Sequence, residues 1–335
     1  MRLLDQVVRC RTPLVPAVCG LPMRTGNLEP GGFAAQLTAC PLRFVLGDDL
    51  TRGSAELAFA DGARLAGCLD LLRMPASQLW IEWNDEVHRR VIHETRSTER
   101  FESAAAGRKA GVLLRASNDG LRAVARTFWV GAGDEDAEVT LSPLETHFDL
   151  RGEFAQSPAA EDALSGELLH ATHSGNPATA TMLDHIRFRF DDAWAGYYRS
   201  AAADAQFKNR LLVDSINAVA WDAPLVLAFL LLLSAKDATR WVPVSRTAIN
   251  RKRAALGRAP LLDHVEVNAC LQTSASAPPM GEGSGRQSPR LHHVRGHLVR
   301  REQQVFWRVP HLRGSACRGA VQSRTVCLSF AKRCS

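Results

Sequence analysis

The chain has 335 residues, 46% of them hydrophobic and 23% charged, with a net charge of +6. This composition builds a core and excludes global disorder, and the length suits one large or two ordinary domains. The charge is unevenly spread: residues 236–335 carry 18 Lys and Arg against 5 Asp and Glu, a net of +13, while residues 1–235 carry 23 against 30, a net of −7. A basic third on an acidic body points to a nucleic acid or another polyanion as partner. The plainer alternative is a basic end that docks on the protein's own acidic body.

Residues 1–30, with Pro13, Pro16, Pro22 and Pro30, predict an extended, loop-rich arm. Charges inside its apolar stretch argue against a secretory signal, and the eight cysteines form no CxxC pair or zinc-finger spacing. Free thiols in a reducing cytosol are expected. Asp48 and Asp49 mark a helix start, followed by short helices broken at Gly62 and Gly67. In Gln78–Trp83, Leu79, Ile81 and Trp83 alternate against Trp80 and Glu82; this predicts a strand, with His88–His93 continuing the pairing.

An antiparallel meander is predicted over Lys109–Ala116, Leu121–Val130 and Val139–Leu150, its first turn at Asn118-Asp119-Gly120. The acidic connection holding Asp134, Glu135, Asp136 and Glu138 lacks the spaced oxygen ligands of an EF-hand and reads as a solvated turn. Apolar spacings of three and four predict helices over Glu161–His170, Ala178–Phe190 and Phe207–Ala220. Ala223–Ala235, APLVLAFLLLLSA, is closed by Asp222 and Lys236 and falls well short of the ~20 apolar residues a membrane span needs. A helix apolar all round is a buried core helix.

Val242-Pro243-Val244-Ser245 ends this helical block. Thr247–Leu256 predicts a basic helix carrying Arg251, Lys252 and Arg253 and stopped by Gly257. Leu262–Leu271 reads as a strand and Thr273–Pro289 as a flexible excursion. The expected fold class is α+β: an antiparallel N-terminal meander, a central helical block with one buried apolar helix, and a small basic antiparallel C-terminal sheet. The expected divisions are 1–155, 156–241 and 242–335, the last with a flexible insertion at 273–289.

Period-two alternation from His292 predicts a hairpin turning at Arg301–Gln304. Val294, Leu298, Val305, Trp307 and Val309 form its apolar face, and His293, Arg295, His297, Phe306 and Arg308 the other. Gly314–Gly319 reads as a loop and Thr325–Phe330 as a further strand. Arg295, Arg301 and Arg308 suit phosphate contacts and Phe306 suits stacking on a base, with Arg251, Lys252 and Arg253 as a helical contribution. His293 and His297, four residues apart on one strand face, are separated by roughly 13 Å. That suits acid and base flanking a scissile phosphate, with Arg295 between them, better than a shared metal.

His293, His297 and His311 with Cys317 are the one plausible ligand group at this end, and the parity of His311 places it across the sheet from the first two. His170 and His173 lack a third ligand. No metal and no cofactor are therefore expected. The absence of Walker A, GxSxG, HExxH and strand-linked GxGxxG patterns argues against the common NTPases, hydrolases, zincins and dinucleotide enzymes.

Three stretches, PASQLWIEWN, NRKRAALGRAPLLDHVEV and SPRLHHVRGHLVRR…VFWRVPHLRG, together resemble a family of uncharacterised phage and prophage-encoded proteins of proteobacteria. The resemblance covers about a third of the chain and brings no catalytic residues. It implies a setting in the bacterial cytoplasm or a virion, near phage nucleic acid. The leading expectation is a non-enzymatic protein binding DNA or RNA through the basic hairpin. A structural or assembly protein of a phage-like particle, self-associating or bound to particle proteins, is the alternative, and a metal-independent nuclease is the second. No membrane association is expected.

Overall fold

A computed structural model describes residues 2–10, 17–18, 21–22, 30–96, 107–131, 139–156, 168–169, 181–192, 195, 216, 219–236, 238–270, 290–294, 297–308, 311–313 and 315–320. The fold is α+β. Helices α1 (Leu3–Arg9) and α2 (Pro30–Ala39) flank a short ribbon of β1 (Ala17–Val18) and β2 (Leu21–Pro22). Then come β3 (Leu42–Leu46), α3 (Asp48–Ala60), α4 (Gly62–Ala66), β4 (Gln78–Asn84) and α5 (Asp85–Arg96). The meander is β5 (Lys109–Ala116), β6 (Arg122–Val130) and β7 (Val139–Asp149), joined at its edge by β8 (Ile186–Phe190). The remainder supplies α6 (Asp222–Ser234), β9 (Thr239–Val244), α7 (Thr247–Ala255), β10 (His264–Ala269), β11 (Arg290–Val294), β12 (His297–Arg301), β13 (Gln304–Arg308), β14 (His311–Arg313) and β15 (Ser315–Ala320).

One eight-stranded mixed sheet, ordered β8-β7-β6-β5-β4-β3-β10-β9, organises the molecule. Strands β10, β3 and β4 run parallel; the remaining pairings are antiparallel. Both faces are covered, and the alternation in β4 shows how. Trp80 packs with Leu3, Leu4 and Val7 of α1, while Leu79, Ile81 and Trp83 pack with α3, α5 and α6. A strand buried on both faces carries apolar side chains at nearly every position. The inner positions of α6 are fully buried, as expected from its sequence, and Phe229 meets Phe44 edge-on at 5.8 Å. Among the described residues no helix is long and apolar enough to cross a membrane.

Several expectations are corrected. Leu3–Arg9 is a helix within the residues expected to be an extended arm. Seven residues do not hold a helix alone; here Glu82 accepts the orphan N–H groups of Leu3 and Leu4 at 2.9 and 3.0 Å. His88–His93 lies in α5 rather than in a strand, because Asp85 and Glu86 open a helix whose Val91 and Ile92 face the core. The described part of the helix predicted over Ala178–Phe190 is not α-helical. A 3-10 turn over Thr181–His185 leads into β8, where Ile186, Phe188 and Phe190 are buried and Arg189 pairs with Glu145.

The boundary expected at residue 242 falls inside β9, an edge strand that accommodates Pro243 because, among the described residues, its outer side pairs with no strand. β9 and β10 thus complete the main sheet. Ser315–Ala320 is a strand where a loop was expected, paired in parallel with β11. The predicted helices over Glu161–His170 and Phe207–Ala220 and the strand over Thr325–Phe330 lie mostly or wholly outside the described residues, as does the acidic turn.

Candidate functional site

Six cations line a cleft of about 670 Å³ beside α1 and α7. Arg2 and Arg9 come from the two ends of α1, Lys109 from the start of β5, and Arg246, Arg253 and Arg258 from α7 and its flanks. Local chemistry fixes the α7 side. Gly257 takes φ 64°, the N–H of Arg258 bonds to the Arg253 carbonyl at 2.9 Å, and that of Gly257 to the Ala254 carbonyl at 3.0 Å. This helix stop brings Arg258 back beside Arg253. The Asn250 side chain both donates to and accepts from the backbone of Leu261 at 2.8 Å, pinning the returning chain.

Asp5, the one carboxylate lining the cleft, is nearly buried and accepts the Leu262 N–H at 2.9 Å. Arg2 is paired with Glu266 at 2.5 Å. Arg253 donates through Nε to the Ala259 carbonyl at 2.8 Å. The wall is strongly positive even with these partners counted.

The expected binding residues are distributed as follows. Arg253 enters the cleft; Arg251 and Lys252 lie on the exposed remainder of α7, a helix with no buried residue. Arg301 and Arg308 are exposed and Phe306 is half-buried on the outer face of the β12–β13 hairpin. The pairing of Leu298 with Trp307 and of Arg300 with Val305 sets those faces, with Leu298 and Val305 buried in the core. The hairpin packs on the α3–α6 side, whereas α1 walls the cleft from the other side. Arg295 lies outside the described residues.

His293 in β11 lies opposite Leu312 and His297 in β12 opposite Arg308, two pairings in the same antiparallel register, and the residues between the two strands lie outside those described.

Arg300, not singled out in the sequence, ties the hairpin to the body. Its guanidinium grips both oxygens of Asp70 at 2.8 and 2.9 Å and donates to the Gly67 carbonyl at 2.7 Å. A bidentate pair of this kind fixes orientation as well as charge. Among the described residues, the basic end docks on the acidic body through this arginine. The cleft residues Arg2, Arg9, Lys109, Arg246 and Arg258 were also missed, because they come from segments far apart in the chain; Asp5 in the first turn and Arg9 in the last turn of LLDQVVR were the one local signal for α1.

On the other face of the sheet a buried polar group joins the first turns of α5 and α6. Nδ1 of His88 lies 3.5 Å from Oδ1 of Asp85 and 3.5 Å from Oδ1 of Asp222, and all three residues are at most 1% exposed. Burial alone would raise the Asp85 carboxyl, but His88, Arg89 and Arg108 hold it far below the usual range. Burial first, and then the Asp85 charge, push Asp222 up to about 6.

The chain matches no family model, no curated protein and no solved structure.

Proposed function

We propose that this protein binds nucleic acid along the cleft between α1 and α7. The convergence of Arg2, Arg9, Lys109, Arg246, Arg253 and Arg258 on one cleft carries this reading. Cations clustered in a concave wall neutralise successive phosphates and release their counterions. Arg251 and Lys252 extend the positive surface, and Arg301, Phe306 and Arg308 form a second contact face. The resemblance to phage-encoded proteins supports the same partner class and a bacterial cytoplasmic or virion setting.

Binding of an oligonucleotide by the full chain is expected to weaken with salt, each phosphate contact contributing about 0.9 to the logarithmic slope. Arg246→Ala with Arg258→Ala is expected to reduce that slope by roughly two and weaken binding across all sequences, with an unchanged thermal midpoint. Unchanged affinity with a lowered midpoint would sink the reading and leave the cleft as internal scaffolding. The same titration on Arg301→Ala with Arg308→Ala tests the hairpin separately.

A second reading, assembly into a particle, is favoured by the free edge of the sheet. Trp241 and Val242 of β9 are 46% and 37% exposed, and Ile249 of α7 and its C-cap Leu256 are exposed as well. Exposed apolar groups on an edge strand invite association. If they mediate it, Trp241→Glu is expected to abolish any concentration-dependent increase in mass measured by light scattering; unchanged self-association in that variant would exclude this surface.

A further inference from the structure

We propose that Asp85, His88 and Asp222 bind one transition-metal dication of the zinc type, through Oδ1 of Asp85, Nδ1 of His88 and a carboxylate oxygen of Asp222. The spacing is the first support. At 3.5 Å the imidazole nitrogen makes no hydrogen bond to either carboxylate. Zinc–ligand bonds of about 2.1 Å arranged tetrahedrally put neighbouring ligand atoms about 3.4 Å apart. Ligand atoms from the three residues all lie within 4.8 Å of one another.

Burial is the second support. Oδ1 of Asp85, both ring nitrogens of His88 and both oxygens of Asp222 are buried without a hydrogen-bond partner. Buried polar atoms are almost always satisfied, and a cluster of orphaned acceptors around one point is what a cation would satisfy. Among the described residues no arginine or lysine makes an ion pair with Asp222, and the contact its carboxylate makes is with Nδ1 of His88.

The surroundings fix these atoms in place. Asp85 and His88 stand three residues apart on α5 and share a helix face. The other oxygen of Asp85, Oδ2, accepts a hydrogen bond from Arg89 Nε at 2.7 Å and is ion-paired with Arg108 Nε at 2.8 Å. This outer shell orients the carboxylate and leaves Oδ1 facing His88. Phe59 stacks on the imidazole with centroids 5.9 Å apart, and the Trp83 ring stands edge-on at 6.2 Å. One imidazole with two carboxylates suits zinc, iron, nickel or manganese, whereas calcium takes six to eight oxygens. Three protein ligands leave a fourth position for a water or an anion.

The full chain, refolded with and without Zn²⁺ and freed of loose metal by gel filtration, tests the assignment by elemental analysis. About one zinc per chain and a zinc-dependent rise in thermal midpoint are expected. Both should be lost in His88→Gln and Asp222→Asn and kept in Asp49→Asn, a change at an exposed helix start. Should either core variant fail to fold, Co²⁺ on the unmodified chain gives an independent readout: intense visible bands of tetrahedral coordination support the site. A wild-type chain that takes up neither zinc nor cobalt overturns it, as does an Asp222→Asn variant whose midpoint rises equally with and without zinc. The latter result would make the group a self-contained proton-sharing network. Neither failure bears on nucleic-acid binding, which is measured at separate residues on the other face of the sheet.

Discussion

Phe229→Ala is expected to lower stability by about 3–5 kcal/mol, the range for truncating a fully buried aromatic. Phe229 is 0% exposed on α6, as are Leu225, Val226, Leu227, Leu230 and Leu231, so no side of the helix faces solvent over Asp222–Leu232. The ring meets Phe44 of β3 edge-on, and α6 packs along α3. Removing it leaves a cavity between helix and sheet that close-packed neighbours fill only partly. Urea unfolding should show a lower midpoint with an unchanged slope, since the area exposed on unfolding stays nearly the same. Leu256→Ala is the contrast. That leucine is 68% exposed, and its loss is expected to fall within about 0.5 kcal/mol. Equal effects from the two substitutions would contradict the placement of α6 in the core.

Glu145→Gln is expected to cost about 2–3 kcal/mol at neutral pH, at the lower end for breaking a buried ion pair because Arg189 is partly solvated. Three strands meet at this residue. Glu145 on β7 lies opposite Arg126 on β6 and Arg189 on β8. Its oxygens sit 3.0 Å from Arg126 and 2.7 Å from Arg189, and His147 is 3.3 Å away. Burial raises the Glu145 carboxyl, but the His147 hydrogen bond and the two guanidiniums outweigh it and bring the pKa from 4.5 to about 2. A depressed carboxyl stabilises the folded state above its unfolded pKa and loses that contribution as pH falls through the folded value. The difference between wild type and Glu145→Gln should therefore be full above about pH 5 and shrink steadily towards pH 2. A difference independent of pH over that interval would show that the glutamate contributes through shape alone.

Local signals determined much of this architecture. The Asn118-Asp119-Gly120 turn and the alternation on either side of it placed β5 and β6, and the apolar run closed by Asp222 and Lys236 placed α6. Arg251–Arg253 followed by Gly257 placed α7 and its stop. The faces of the hairpin also followed from parity, because Leu298 and Val305 are buried while Arg301 and Arg308 are exposed. In each of these the determining interactions lie within a turn or between adjacent strands.

Tertiary structure alone decided the remainder, for the reason that the partners are distant in sequence. Helix α1 depends on Glu82, 79 residues from Leu3, to accept its first N–H group. β8 is a strand because β7 offers it a register in which Arg189 meets Glu145; the same apolar residues also fit a helical spacing. β9 and β10 join the main sheet because β10 aligns in parallel with β3, a pairing that no local pattern announces. The same holds for the two candidate sites. The basic cleft gathers α1, β5 and the flanks of α7, and the Asp85–His88–Asp222 group joins the starts of two helices. Their residue types were visible in the chain, but which of them meet depended on the sheet order, since burial of both faces of the sheet fixes where each helix begins.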